Sequence, residues 1–376
     1  SDKDKIITYE NLYEEYLNAS NGKKARRHVI QYQKHAPTRI LKLYNRLHKR
    51  KYKPKNNYRF YVYEPKKREI TANKFEDKIV QKLLCDKVLS VVISPMLIQD
   101  NYASQPNKGT HIGITRLTNF LRSYYIENGR DGYILQCDIR KYFDNINREK
   151  LMEMIEGLPL DKDLIELQRT IIYHDHPERN SGICIGYQRS QWYAIFYLNG
   201  LDHYIKETLH VKYYGRYMDD FYLIHPDKAY LKECYRRIKA IVNDLGLELN
   251  PKSCIFPINS QHLSKTGKVY VKIKKSSIAR ARRRFRKMRM KYDSNEISLN
   301  KIIESYRAYY AHAKHGNCQS LLHSINLYFM ELFPEFIYEI NNCTKSNISK
   351  DCKINDTLAL YERNDDGFII LEFKED

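Results

Sequence analysis

Eight cysteines are scattered through the 376 residues, at positions 85, 137, 184, 234, 254, 318, 343 and 352, with no CxxC pair and no zinc-ligand spacing. That spread excludes a disulfide framework and fits thiols kept reduced inside a cell. The opening residues, SDKDKIITYE, lack the apolar core of a signal peptide. The longest uncharged apolar stretch, Val88 to Gln99, is too short to span a bilayer and is interrupted by Pro95. A cytoplasmic protein with no membrane partner is the expectation. No internal repeat is present. Acid is the other shortage: 45 Asp and Glu face 65 Lys and Arg, a formal charge of +20 at pH 7. A surplus of that size points to a polyanionic partner, and nucleic acid is the commonest one.

The basic excess is concentrated. Gly22 to Lys55 holds thirteen Lys and Arg and no acid, and Gln261 to Lys291 repeats that count. A basic run is often a solvated helix face or a disordered tail. Here the cations are interleaved with Ile30, Tyr32, Ile40, Leu41 and Tyr44, and then with Tyr270, Ile273, Ile278, Phe285 and Met288. Such interleaving argues for folded elements that present a charged face to phosphates. The 33 Tyr and 13 Phe leave ample aromatic surface for stacking on bases.

The length predicts two or three lobes. The first fifty-odd residues read as helix, ending near Lys53-Pro54. RFYVYEPKKREIT reads as a hairpin turning at Pro65-Lys66-Lys67, followed by a long helix from Lys74. GYILQCDI is a strand, KYFDNINREKLMEMI leads into a helix, and SQWYAIFYLNGLDHYIKETL is another helix. VKYYGRYMDDFYLIHP is a hairpin with its tip at Met218–Asp220, and AYLKECYRRIKAIVNDLGLEL is an amphipathic helix with a short strand after it. KVYVKIKK reads as a strand pair, and SSIARARRRFRKMRM, LNKIIESYRAYYAHA and the stretch around Leu321–Leu332 as helices. This order is α+β, with basic helices trailing the strand-bearing part.

Three segments carry chemistry. Asp138 closes the apolar strand LQCDI, where a carboxylate is costly to bury unless something positive meets it. Asp219 and Asp220 sit at a hairpin tip that has neither Gly nor Asn, so turn chemistry explains the pair poorly. Three strand-borne carboxylates make a hard-oxygen site suited to two Mg²⁺ ions, with Mn²⁺ as the alternative. The third segment is Ile185-Gly186-Tyr187-Gln188-Arg189-Ser190-Gln191. His174-Asp175-His176 could suggest a metal site, but reads better as a solvated turn.

YMDD with an upstream D-x-x-x-x-F strand resembles motifs C and A of reverse transcriptases, and the resemblance runs in consecutive order from Tyr58 to Leu332. It implies a right-hand polymerase with fingers, an antiparallel-sheet palm and a basic helical thumb. It makes Asp138, Asp219 and Asp220 metal ligands and adds the Ile139 carbonyl. EPKKREI is similar to the fingers segment in which Arg68 with Lys66 or Lys67 would hold the β- and γ-phosphates. Phe143 matches the steric gate against a 2′-hydroxyl, and Lys252 the motif D lysine that would protonate pyrophosphate. NYASQPNKGTHIGI, with Lys108, resembles the template-contacting block, and ESYRAYYAHAKHG a thumb helix of the bacterial and group II intron branch. Arg282, Arg283 and Arg284 are the nucleic-acid contacts expected there.

Most reverse transcriptases of that branch carry Q-G-x-x-x-S-P before the hairpin, whereas here Ile185 replaces the Gln and Gln191 the Pro. I/V/L-G-x-x-x-S-Q resembles the reverse transcriptases of diversity-generating retroelements, which copy a template RNA with errors at adenines. DIRKYF, YLNGLDH and RYMDDF fit that group. No F-L-G primer grip follows Lys252, where IFPINSQHLS stands instead. Antiviral defence reverse transcriptases that copy a dedicated non-coding RNA are an alternative, and a non-catalytic RNA-binding scaffold a third. Retention of all three aspartates, Phe143 and Arg68 argues against the last. The expected partners are template RNA, its cDNA, dNTPs and an accessory protein subunit. The expected division is a basic N-terminal extension at 1–55, fingers and palm at 56–262, a thumb at 263–340 and a tail at 341–376.

Overall fold

The computed structural model describes residues 2–63, 67–175, 177–258, 269, 271, 273, 275–313 and 319–335. They fall into two units, one made of Ser1–Phe120 with Asp131–Pro257, the other of Leu121–Arg130 with the described residues from Ile258 onward. The strand pair expected over KVYVKIKK falls largely outside the described residues, as do Lys66 and all of 341–376.

The first unit opens with four helices, α1 (Asp2–Ile6), α2 (Tyr9–Ser20), α3 (Arg27–Gln33) and α4 (Ala36–His48). Thr8 caps α2 by accepting from the Asn11 amide at 3.1 Å. Pro37 sits in the first turn of α4, where no backbone donor is needed. Ile40, Leu43 and Leu47 of α4 share a stripe and bury against Leu12, Tyr16, Val29 and Tyr32. Burying that stripe leaves Lys42 and Lys49 exposed on the outside.

Next comes an antiparallel hairpin, β1 (Tyr58–Val62) and β2 (Arg68–Ala72), with Val62 opposite Arg68. The long helix expected from Lys74 is α5 (Phe75–Leu84), then a π-helical turn over Cys85–Leu89, then α6 (Ser90–Ile93). α7 (Thr110–Asn128) follows, its end belonging to the second unit. α8 (Tyr142–Asn145), α9 (Arg148–Glu156), α10 (Lys162–His174), α11 (Gln188–Tyr197) and α12 (Asn199–His203) come, in chain order, between the first and second strands of the main sheet. The single helix expected over SQWYAIFYLNGLDHYIKETL is therefore broken into α11, α12 and a π-helical turn, Tyr204–Thr208.

The main sheet joins β3 (Tyr133–Cys137), β4 (Tyr213–Tyr217), β5 (Asp220–His225) and β6 (Cys254–Pro257) in the order β4-β5-β3-β6, antiparallel throughout. Phe221–Ile224 of β5 are buried on both faces, which explains their uninterrupted apolar run. α13 (Lys228–Asp244) lays Leu231, Cys234, Ile238 and Val242 into the same core. Just after α13, Leu249 makes only an isolated bridge to Ile139, and the strand proper begins at Cys254. The α+β reading holds.

Asp175 departs from expectation. Instead of standing in a solvated turn, it is buried and ion-paired to the fully buried Arg189 of α11. The second unit packs α14 (Lys275–Asp293), α15 (Leu299–Ala313) and α16 (Gln319–Leu332) around Phe285, Ile302, Tyr306, Ile325 and Phe329. Phe329 stacks on Tyr306 with centroids 4.1 Å apart. Among the described residues no helix is long and apolar enough to cross a membrane.

Candidate active site

Asp138 follows β3 directly and is pinned by the segment leading into β6. Its carbonyl accepts from the Asn250 amide at 2.7 Å and its Oδ2 from Asn250 Nδ2 at 2.6 Å, while its own amide donates to Ser253 Oγ at 3.4 Å. Ile139 beside it is buried and bridged to Leu249. Asp219 and Asp220 arrive from the β4–β5 hairpin. Tyr217 pairs with Asp220, so the turn residues are Met218 and Asp219, one position tighter than the tip expected from sequence. β5 and β3 are neighbours in the sheet, which sets the hairpin tip beside the end of β3.

One ligand atom from each of Asp138, Asp219 and Asp220 lies within 4.8 Å of the others, and all three side chains are half-buried. Burial and, after it, the negative charge of Asp138 push the Asp219 carboxyl up to about 6. Its own backbone amide and the Arg68 guanidinium act in the opposite direction. Crowded hard-oxygen donors that repel one another are the donor set a divalent cation favours, so the residues present fit such an ion.

The hairpin is fixed from below by groups that no sequence signal singled out. Arg216 is fully buried and forked onto Asp202 of α12, Nε to Oδ1 at 2.7 Å and Nη2 to Oδ2 at 2.5 Å. Nη2 also reaches the Ile195 carbonyl of α11 at 2.9 Å. Both charges lie inside segments that sequence reading used only as family marks, RYMDDF and YLNGLDH. Gly215 is required beside them. A Cβ there would stand 2.5 Å from the Tyr102 hydroxyl and 2.7 Å from that of Tyr222.

The Ile185–Gln191 segment sits against β2. Thr71 donates its amide to the Ile185 carbonyl at 3.1 Å. Gly186 holds φ +107°, and a Cβ on it would lie 3.1 Å from both Ile70 Cγ2 and the Thr71 carbonyl. The Ile185 side chain is half-buried and Gly186 is exposed. Gln191 accepts at Oε1 from Ser104 Oγ at 3.0 Å. Phe143 is half-buried, with its carbonyl accepting from the Ile183 amide at 2.9 Å, and the neighbouring Tyr142 donates to the Ala194 carbonyl at 2.6 Å. Arg68, Asp138, Asp219 and Asp220 are thus brought together. Ile185 and Gly186 adjoin the strand that carries Arg68.

The remaining candidates are placed otherwise. Lys67 sets its ammonium 4.6 Å from the Tyr61 ring centre. Lys252 is exposed, and its amide donates to the Oδ1 of Asn250, the residue that pins Asp138. Lys108 directs its ammonium to the Gln99 and Asn101 carbonyls, each at 2.9 Å, and so closes its own loop. In the second unit Arg282 packs over Tyr328, its Cζ 5.4 Å from the ring centre, while Arg283 and Arg284 are exposed.

A family model described as reverse transcriptase (RNA-dependent DNA polymerase) matches residues 53–278, more than half of the chain. Among curated proteins nothing matches. Among solved structures, telomerase from Candida albicans bound to a fragment of telomeric RNA is 13% identical with a TM-score of 0.42, over 54% of this chain and 42% of that one. Apo telomerase from Candida tropicalis is 15% identical with a TM-score of 0.43, over 55% and 45%. A partial Cas6-RT-Cas1–Cas2 complex is 17% identical with a TM-score of 0.36, over 65% and 42%. The chain thus spans less than half the length of these three chains.

Proposed function

The chain belongs to the reverse transcriptase (RNA-dependent DNA polymerase) family, and from that premise we propose that it copies an RNA template into DNA. The observation that carries this reading is the convergence of Asp138, Asp219 and Asp220 at the ends of neighbouring antiparallel strands. These carboxylates, with the Ile139 carbonyl, would hold two Mg²⁺ or Mn²⁺ ions. Such ions, when bound, stabilise the attacking 3′-oxygen and the leaving pyrophosphate of an in-line displacement.

The chain's own residues do the rest. Arg68 already exerts its charge at Asp219, which suits it to the phosphates of an incoming dNTP, with Lys67 as a neighbouring cation and Lys66 on the same turn. Phe143 is a bulky ring on the segment leaving Asp138, suited to exclude a 2′-hydroxyl. Lys252 is the candidate proton donor to pyrophosphate. The second unit, with exposed Arg283 and Arg284 on α14, is the proposed thumb. An accessory protein subunit completes the proposed partners.

We further infer the diversity-generating retroelement type. Ile185 has no side-chain hydrogen-bonding group where related enzymes have Gln, yet its backbone carbonyl still holds β2 through Thr71. Fidelity is thereby altered by the side chain while the strand carrying Arg68 stays anchored. The test is deep sequencing of cDNA made on a defined primed RNA. cDNA with errors concentrated at template adenines supports the reading. Absence of cDNA overturns the polymerase, and errors spread evenly over four bases overturn the subtype.

A further inference from the structure

Where the turn after α2 meets the first turn of α5, cations gather, and among the described residues no carboxylate pairs with them: Glu76 of that turn is engaged by Arg46 and Lys55, and Asp77 by the Tyr52 hydroxyl and the Lys55 amide. Lys23 lies in that turn, with its amide donating to the Ser20 carbonyl at 2.9 Å, and Gly22 at φ +68° lets the chain reverse. Arg26, the N-cap of α3, donates its amide to the Lys23 carbonyl at 2.9 Å, so one short loop carries both side chains. His28 of α3 stacks at a tilt on Phe75, the first residue of α5, with ring centres 6.0 Å apart. Lys78 is one turn along from Phe75 on the same helix face, and so emerges beside the loop.

Lys23 and Lys78 are half-buried, yet neither ammonium has a hydrogen bond or ion pair with any described residue. Burial first, and then the charges of Lys23 and Arg26, lower the affinity of Lys78 for its proton. Lys23 is lowered by burial, Arg26 and Lys82, and His28 by burial, Lys78, Arg26 and Lys23. Every charge acting on the three is positive. Other cations of the N-terminal helices and of α5 and the turn after it do meet carboxylates: Lys3 with Asp163, Arg46 with Glu76, Lys82 with Asp86, Lys87 with Glu14. Half-buried like charges destabilise a fold, so their being left without a carboxylate among the described residues points to an anion supplied from outside.

We propose that Lys23, Arg26 and Lys78, with His28 at the edge, form a phosphate-binding site for the backbone of bound RNA. The proposal rests on the RNA-templated reading above. A nucleic-acid backbone, rather than the polyphosphate of a free nucleotide, is the source assigned. Lys23 and Arg26 belong to the acid-free run from Gly22 to Lys55, and Arg26 and His28 are exposed together with the neighbouring Lys24 and Arg27, an extended cationic face of the kind a nucleic-acid backbone follows.

The experiment compares the full chain with the Lys23→Gln/Lys78→Gln double variant. A short fluorescein-labelled single-stranded RNA is titrated at several salt concentrations, and thermal unfolding is followed in parallel. The double variant should bind the RNA about tenfold more weakly, and the slope of log K against log salt should fall by about 1.4, for two phosphates lost. Its Tm without RNA should rise by about 2 °C as the repulsion is relieved. Lys78→Arg, which keeps the charge, should retain the wild-type slope. Unchanged affinity and slope in the double variant would overturn the site. Equal protection of the wild type by inorganic triphosphate and by RNA would overturn the assignment to a backbone. Wild-type incorporation of dNTPs on a primed RNA, measured alongside, separates failure of this site from failure of the polymerase reading.

Discussion

Arg216 Nη1 donates to the carbonyl of Met218, two residues further along the hairpin, at 2.8 Å. Met218 holds φ +55°, a left-handed conformation that costs a side-chain-bearing residue about 1–2 kcal/mol. It immediately precedes Asp219. A strained turn persists only when its surroundings over-determine it, and here a charge pair buried away from water does so. The hairpin that carries Asp219 and Asp220 is therefore held from α11 and α12 as well as from the sheet.

Arg216→Lys keeps the charge but loses the planar fork that serves Asp202, Ile195 and Met218 together. The polymerisation rate should fall about tenfold or more, by misplacement of Asp219. The Mg²⁺ concentration for half-maximal rate should rise, with RNA affinity unchanged. A wild-type Mg²⁺ response in a variant that has only lost stability would mean the pair supports the fold alone. Asp202→Ala strands a buried guanidinium and should cost about 3–5 kcal/mol in urea unfolding.

Asp219→Ala removes one of three carboxylates that crowd one another. dNTP incorporation on a primed RNA should be abolished, and chelation of divalent ions should abolish it in the wild type, while RNA binding remains near normal in both cases. Incorporation by the variant at near wild-type rate would defeat the two-metal assignment.

Gly186→Ala tests how far the Ile185–Gln191 segment and β2 act as one body. The new methyl meets Ile70 and Thr71 at 3.1 Å on a backbone that only glycine adopts readily. β2 must shift, and Arg68 with it. The KM for dNTP should rise roughly tenfold, with a smaller change in kcat. If KM holds and only stability drops, Arg68 does not depend on this contact.

Much of this was legible in the sequence. The apolar strands and the carboxylates at their ends read directly, because a short apolar run ends on a carboxylate in YILQCD and begins on one in DFYLI. The buried charges did not. Asp175, Arg189, Asp202 and Arg216 are polar residues in the core, and pattern reading assigns polar residues to the surface. Only their three-dimensional partners reveal them. The π-helical turns at Cys85–Leu89 and Tyr204–Thr208 were equally silent, since one added residue in a helix leaves the apolar content unchanged.

Phe143→Ala should raise ribonucleotide use relative to dNTP, because the ring is the bulky group on the segment leaving Asp138. The Phe143 carbonyl and Tyr142 hydroxyl bonds remain, so the backbone should stay in place at a stability cost of about 3 kcal/mol or less for the half-buried ring. Selection against ribonucleotides that survives the truncation would assign the gate to another residue.

Ile185→Gln is the sharpest substitution. The backbone carbonyl at this position serves β2, and the exchange leaves it alone. What changes is a half-buried apolar side chain, replaced by one able to donate and accept hydrogen bonds where the proposed function puts the incoming nucleotide. A polar group there narrows the geometries a substrate can adopt, whereas Ile supplies bulk without direction and tolerates a displaced pair. The energies involved are modest, since about 1.4 kcal/mol between right and wrong transition states is a tenfold change in selectivity. Template adenine and template uracil each pair through two hydrogen bonds and have less to lose than guanine or cytosine, and the retroelement type proposed above puts the errors at adenine. Misincorporation opposite adenine should therefore fall about tenfold in Ile185→Gln, and by less opposite the other three bases. The measurement is deep sequencing of cDNA copied by both proteins from one primed RNA. An error spectrum that the exchange leaves unaltered would remove Ile185 from fidelity control and leave its carbonyl, holding Thr71, as its only function.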